Sequence, residues 1–430
     1  MTATATTAPA DARAAVAAQF AAADAKLARL AALQPLLLDV SLREPCFSSY
    51  LGHTLQNKID LLQMVDGFGF TDKIIATLDY QLPDFPEVED DFCQYLNQTG
   101  YDLTGCFAET SVGTLSADGQ FEPTVSMLKL VDYHIPNTLH EIYLLPETTP
   151  LPTLLATLTA SVQWLRAKMT GDAGGPPRIF INIPDLVDGF IADQQFSCAV
   201  LEHLRALNVD ALSFEDARGT YFPFQIGAVV ASAKLLLDPQ QKVLFHCHAG
   251  NGMENASVLE ALLQGADGYW AGLDRESSTI GHAALSELIA NLMRAGNTTM
   301  AQRYRVDTLL PVCHAMHLIN DAESTPATWP IQGSNAYRQM LTDFDQVPGR
   351  LMDLPPERIG ARYTSRISPA GSDWLVIQAR VLQALGADID QPTANRMILL
   401  MRQDLRQGQR IRYDDPAPLA DLLARAKNGA

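Results

Sequence analysis

No stretch of the 430-residue chain is apolar and uninterrupted enough to cross a bilayer, which sets aside a membrane-spanning protein. Positive charge is scarce. Against 49 Asp and Glu there are only 31 Lys and Arg, a formal net charge of -18. A surface of that sign repels phosphate backbones, so nucleic acid is not expected as a partner. Cysteines are few, at positions 46, 93, 106, 198, 247 and 313, with no C-x-x-C pair and most of them inside apolar runs. That usage fits a reducing cytoplasm rather than a disulfide framework. An unbroken apolar run is missing from the Ala-rich N-terminus too, where Asp11, Arg13, Asp24 and Lys26 interrupt it. A secretory signal is therefore not expected, and residues 1–34 read as a leader with an amphipathic helix over 12–33.

What is present, from Pro35 onward, is an alternation of short β-type runs with helical runs. The strand candidates are 36–44, 72–80, 101–109, 139–146, 177–183, 209–216, 242–250 and 266–273. Eight strands alternating with helices across 35–297 predict a (β/α)8 TIM barrel; an open doubly wound sheet is the alternative for the same alternation. The third crossover, 110–138, carries a DG turn between β-type residues and predicts a hairpin insertion. After Asn297 the alternation stops. Residues 298–430 predict a mostly helical C-terminal region, with helices over 300–321, 335–344, 372–386, 392–408 and 418–429.

Two motifs carry chemistry. His246-Cys247-His248 closes the seventh predicted strand, and residues i and i+2 of a strand project to the same face, so the two imidazoles can share one metal ion. Buried core histidines are the alternative. The first strand candidate ends Asp39-Val40-Ser41-Leu42-Arg43-Glu44-Pro45, which places Glu44 as a third ligand, its side chain re-aimed by Pro45, and Arg43 beside it as a stabiliser of a developing oxyanion. A surface Arg–Glu ion pair is the alternative there. Both motifs fall at the C-terminal ends of predicted strands, which is the working face of a TIM barrel.

The D-x-S-L-R-E strand followed two hundred residues later by H-x-H resembles the DRE-TIM metallolyase superfamily. That group holds isopropylmalate, citramalate and homocitrate synthases, HMG-CoA lyases, aldolases and carboxyltransferases. The resemblance implies a divalent metal (Mn, Mg, Zn or Co) on Glu44, His246 and His248, with Arg43 stabilising an enolate. The Glu after Arg43 is similar to the homocitrate synthase branch. In VDALSFEDARGTYFP, residues Asp216, Gly219 and Pro223 match the family's D-T-x-G turn and its following proline, but its Thr is Ala217, with Arg218 beside it as a substitute donor. Asp216, Arg218 and Asn182, the nearest polar residue where the family has a strand-five acid, are thus substrate-binding candidates. In the loop after strand eight, His282 stands where relatives place an Asn near the metal, either as a fourth ligand or as a helix-start histidine.

WPIQGSNAYRQMLTDFDQ resembles the tail motif of the acyl-CoA-dependent synthases, but Phe344 takes the place of its catalytic His. Asp343 and Tyr337 are the foremost candidates to replace it, with Asp345, His314 and His317 as alternatives. The resemblance implies a Claisen-type condensation of an acyl-CoA with a 2-oxo acid, and a homodimer. The missing tail His leaves open a metal-dependent carbon–carbon lyase or aldolase working without CoA, and a catalytically silent homologue is a third reading that the retained metal residues disfavour.

Overall fold

The structure, a computed structural model, describes residues 10–78, 87–276, 280–339 and 354–428. Eight parallel strands close into a barrel. They are β1 (Leu36–Asp39), β2 (Lys73–Thr77), β3 (Cys106–Ser111), β4 (Asn137–Glu141), β5 (Ile179–Ile183), β6 (Ala211–Asp216), β7 (Lys242–Cys247) and β8 (Gly268–Ala271). Each lies within or overlaps one of the eight predicted runs. Sequential strands neighbour one another throughout, and β1 shuts the ring by pairing with β8 on one side and β2 on the other. An open sheet is ruled out by that closure.

The barrel interior explains why the strands are so rich in bulky residues. Leu38, Ile74, Phe107, Leu139, Phe180, Ala211, Leu244 and Trp270, one from each strand, are buried together in a single cluster, with the Phe107 and Phe180 rings 4.7 Å apart. They fill the bore, so chemistry is confined to the rim. They also fix which positions face inward. Two residues further along β3, β4, β5 and β7, the same parity presents Glu109, Glu141, Asn182 and His246; four beyond Ala211 it presents Glu215. On β2 the register shifts between Ile74 and Ala76, and this irregularity brings Thr77 round to the site despite its odd spacing from Ile74.

The first strand is shorter than expected. Its ladder stops at Asp39 because the carboxylate of that residue turns back onto the amide (3.0 Å) and hydroxyl (2.9 Å) of Ser41, and the Arg43 and Glu44 amides both bond to the Val40 carbonyl. Glu44 therefore opens a short helix, Glu44–Ser48, with Pro45 at its first turn, rather than ending a strand. The third crossover carries the expected hairpin, Thr114–Leu115 against Phe121–Glu122, reversed at Gly119 with φ +83°.

Buried polar residues on the outward face of the strands are satisfied by the surrounding helices. His140 is fully buried, with Nδ1 2.8 Å from Thr110 Oγ1 and Nε2 2.6 Å from Ser161 Oγ. Burial lowers its pKa to about 3. A histidine held below its ordinary 6.5 contributes stability that is present above that pH and is lost as pH falls from 6.5 through 3. The stability gap between the native chain and a His140→Gln variant is accordingly widest near neutrality and narrows in acid, as urea midpoints across pH would report. A gap constant with pH would mean that His140 is protonated or solvated in the fold.

The chain divides into two compact units, Met1–Ser324 and Thr325–Ala430. The first includes the N-terminal helix Ala10–Ala32 and, beyond the barrel, Thr299–Arg303 and Leu309–Asp321; the last of these packs on helix Leu55–Phe68. In the second unit, helices Trp374–Leu385, Gln391–Arg406 and Pro416–Asn428 enclose Ile377, Val381, Met397, Met401, Leu419 and Leu422. The expected helix over 335–344 is not seen in its described part. Asn335 and Ala336 give their amides to the carbonyls of Ala327 and Gly333, and Arg338–Gln339 pairs in parallel with Thr364–Ser365. Residues 340–344 of that segment, including Asp343 and Phe344, lie outside the described residues, as does Asp345. No helix among the described residues is long and apolar enough to cross a membrane.

Candidate metal centre

His246, inward on β7, and His248, just past its end, converge as alternation requires, with their Nε2 atoms 3.1 Å apart. His246 Nδ1 donates to the Trp270 carbonyl at 2.7 Å, which places the ring proton on Nδ1 and leaves a lone pair on Nε2. The Trp270 indole, stacked on that imidazole at 3.8 Å and donating Nε1 to Ser213 Oγ at 2.6 Å, fixes the ring plane. His248 is steadied by two turns that share one small space. Gly219 has φ +61°, and a Cβ there would stand 2.2 Å from the His248 carbonyl; one on Gly250 would stand 1.8 Å from the Arg218 carbonyl. Only glycines allow the turns after β6 and β7 to pack this closely.

Glu44 faces the two histidines from the other side of the β8–β1 seam. Its Oε1 lies 3.6 Å from His248 Nε2 and its Oε2 4.0 Å from His246 Nε2. His282 completes the set. The Ala249 amide bonds to the Gly281 carbonyl (2.8 Å) and the Ala283 amide to the Cys247 carbonyl (3.1 Å), so the loop after β8 is stitched antiparallel to the end of β7 and His282 sits opposite His248. Its Nε2 is 3.1 Å from Glu44 Oε1, fully buried and without a hydrogen bond of acceptable geometry. One ligand atom from each of Glu44, His246, His248 and His282 lies within 4.8 Å of all the others.

The donor set fits a divalent cation. Three imidazoles and one carboxylate suit Zn, Mn, Co or Fe. Burial, together with the neighbouring imidazoles, holds His246 well below the usual histidine range, and burial lowers His248 to about 4, so both are neutral and able to ligate at pH 7. For Glu44, burial opposes ionisation, but His282, Arg43 and His248 outweigh it and keep the carboxyl well below its ordinary range. Two lone-pair-bearing ring nitrogens and an orphaned third, gathered around an ionised carboxylate, are the arrangement a cation resolves.

Arg43 is buried beside this set. It donates Nε to Thr77 Oγ1 (2.7 Å), NH1 to Glu44 Oε2 (3.0 Å) and pairs through NH2 with Glu109. The surface ion pair considered for these residues is thus excluded by burial. Around the rim from Arg43 run Glu109, Glu141, Asn182 and Glu215, the Asn182 amide donating to Glu215 Oε1 at 2.7 Å and to Glu141 Oε2 at 3.2 Å. Sequence reasoning missed the three glutamates; Glu109 and Glu141 follow the bulky bore residues Phe107 and Leu139 by two positions, a usable signal, whereas Glu215 follows only Ser213 and Ala211 at even steps. The other candidates are dispersed. Asp216 faces away from the bore and takes the amides of Thr220 and Tyr221, both at 3.0 Å, so its carboxylate builds the turn. Arg218 is exposed on that turn, and Tyr337 belongs to the second unit.

No protein-family profile matches the chain. A 2-isopropylmalate synthase of Methylococcus capsulatus is 25% identical over 210 residues, 48% of this chain and 36% of that protein. An (R)-citramalate synthase of Streptomyces coelicolor is 24% identical over 256 residues, 58% of this chain and 47% of the other. The chain thus matches less than half the length of either relative. In fold it is similar to an HMG-CoA lyase of Acinetobacter baumannii solved with coenzyme A and 3-methylmalate, at a TM-score of 0.51 and 15% identity, covering 75% of this chain and 98% of that one. The chain is thus distantly similar in sequence to isopropylmalate and citramalate synthases, and similar in fold to HMG-CoA lyases. In this chain the Arg43–Glu44 pair lies with the two β7 histidines at one side of the barrel rim, and the glutamate arc runs round from it.

Proposed function

We propose that the chain condenses an acyl-CoA, acetyl-CoA foremost, with a 2-oxo acid to give a 2-hydroxy dicarboxylate. The observation that carries this reading is the convergence of Glu44, His246, His248 and His282 at the barrel rim with Arg43 bound to the same carboxylate. A divalent ion held there supplies Lewis-acid polarisation of the acceptor's carbonyl. Arg43, locked by Thr77, Glu44 and Glu109, presents a preorganised positive charge where negative charge develops on oxygen as the new bond forms. The filled bore beneath excludes water from below. We assign the proton acceptor to Asp343 or Tyr337, and assembly as a homodimer follows the same resemblance. The synthase relatives support the condensation; the lyase-like fold and Phe344 at the position of the tail His favour cleavage of a related 2-hydroxy acid as the second reading.

Thiol release from acetyl-CoA across a panel of 2-oxo acids, with Mn, Mg, Zn or Co added, separates the two. Release that needs both metal and one acid establishes condensation, whereas metal binding with no release across the panel sinks it in favour of cleavage. Deuterium uptake into the acetyl methyl group in heavy water then tests the base: it should fall by about 100-fold or more in whichever of Asp343→Asn and Tyr337→Phe removes the acceptor. Unchanged exchange in both variants would refute that assignment.

A further inference from the structure

The glutamate arc is not needed to hold the metal, and it is an unusual floor for a site that takes an organic anion. Glu109, Glu141, Asn182 and Glu215 stand on four consecutive strands, β3 to β6, across the mouth from the metal set on β1, β7 and the loop after β8. Arg43 is the nearest positive charge, and it is already engaged by Glu44 and Glu109. Among the described residues Glu141 and Glu215 have no ion-pair partner, and what holds them together is the Asn182 amide group. That group donates both its protons outward, leaving Asn182 Oδ1 fully buried and without a hydrogen-bond partner. Turning the amide over would set its N–H2 where the acceptor now is and place its oxygen against two carboxylates, so the orientation is dictated by its neighbours.

The result is a pair of buried acids bridged by one amide group whose own oxygen is orphaned. Burial pushes Glu215 up to about 8, and burial together with the Glu215 charge pushes Glu141 up to about 7; a cation seated between them would favour their ionised forms. The Asn182 nitrogen stands between the two acids, 2.7 Å from Glu215 Oε1 and 3.2 Å from Glu141 Oε2, so their oxygens are spaced for a bridging N–H donor rather than closed on one small ion. A larger nitrogen cation with several N–H donors suits acceptors spaced in this way.

We propose that Glu141, Glu215 and Asn182 Oδ1 form a subsite for a cationic nitrogen group, a guanidinium or ammonium, at the far end of the 2-oxo acid. The proposal deepens the condensation reading and rests on it for the identity of the other end of the molecule. An acceptor carrying a second carboxylate would meet two buried acids there and be rejected.

The test is calorimetric and independent of turnover. Manganese-loaded protein is titrated with three 2-oxo acids of matched length ending in guanidinium (2-oxo-5-guanidinovalerate), methyl (2-oxooctanoate) and carboxylate (2-oxopimelate). Butylguanidinium, which has no oxo-acid end, is titrated into metal-free protein. The guanidinium acid is expected to bind at least about tenfold tighter than the methyl one, as for a charge-assisted hydrogen bond, with the carboxylate weakest. In Glu141→Gln/Glu215→Gln that preference collapses and butylguanidinium binding is lost, while affinity for the methyl acid is kept. Equal or reversed preference in the native chain, or guanidinium binding unaltered in the variant, overturns the subsite. Absence of binding by all four probes does so too. If butylguanidinium binds and depends on the two glutamates while no 2-oxo acid binds, the subsite stands and the condensation reading falls.

Discussion

Glu44→Gln should lower divalent-metal affinity by about 100-fold or more and abolish turnover while leaving the barrel folded. The substitution is nearly isosteric. A glutamine oxygen can still accept the 3.0 Å bond from Arg43 NH1, and Arg43 keeps Thr77 and Glu109, so the buried pairing survives. What disappears is the one negative charge among three imidazoles. With it gone, the ion would have to be held by neutral nitrogens alone, and the amide group can hydrogen-bond to His282 in the ion's stead. Metal per chain after dialysis, measured by elemental analysis, together with a thermal melt on metal-free protein, gives the answer. Native metal content in the variant would remove Glu44 from the ligand set.

Arg43→Met should cost more than activity. The guanidinium lies among Glu44, Glu109, Glu141 and Glu215, all of which hold its proton more firmly than an ordinary arginine's even though burial alone would loosen it. Deleting a buried cation while leaving its carboxylates in place costs roughly 3–5 kcal/mol, because each must then be protonated or remain an uncompensated charge. The sign of the pH dependence follows. Without Arg43 the folded-state pKa values of Glu141 and Glu215, already raised, climb further above their unfolded values. The stability they retain is therefore complete only below the ordinary carboxylate range and falls as pH climbs through the raised values. The variant should be nearest to native stability in mild acid and furthest from it near pH 8, by urea denaturation of metal-free protein. An equal deficit at all pH values would point to lost packing instead.

Much of this site was legible in the chain because a barrel strand constrains so few things. Alternation at His246 and His248, and their place after an apolar run, predicted a shared ligand face, and the structure brings them within 3.1 Å. The same rule sets Glu109 on the face of Phe107 and Glu141 on that of Leu139, and it separates inward Glu215 from outward Asp216, whose match to a turn motif is the more conspicuous signal. Glu44 was placed with the right partners for an incomplete reason. Pro45 does not bend a strand there, since the ladder has already ended at Asp39, and the side-chain bonds to Ser41 that end it depend on rotamers that no periodicity reveals. His282 was harder still, because a loop residue is positioned by pairing with a distant strand end, Cys247 to Ala249, and nothing local announces that partner.

The ligand set straddles the seam where the barrel closes, with Glu44 from just after the first strand and His282 from just after the last. During synthesis Glu44 emerges some two hundred and forty residues before the last of its companions, so no partial barrel can hold the ion as the finished one does. An ion taken up there would act as a clasp on the ring. An ion that binds only the closed form adds RT ln(1 + [M]/Kd) to its stability, and loading becomes a late, all-or-none report that the first and last strands have met.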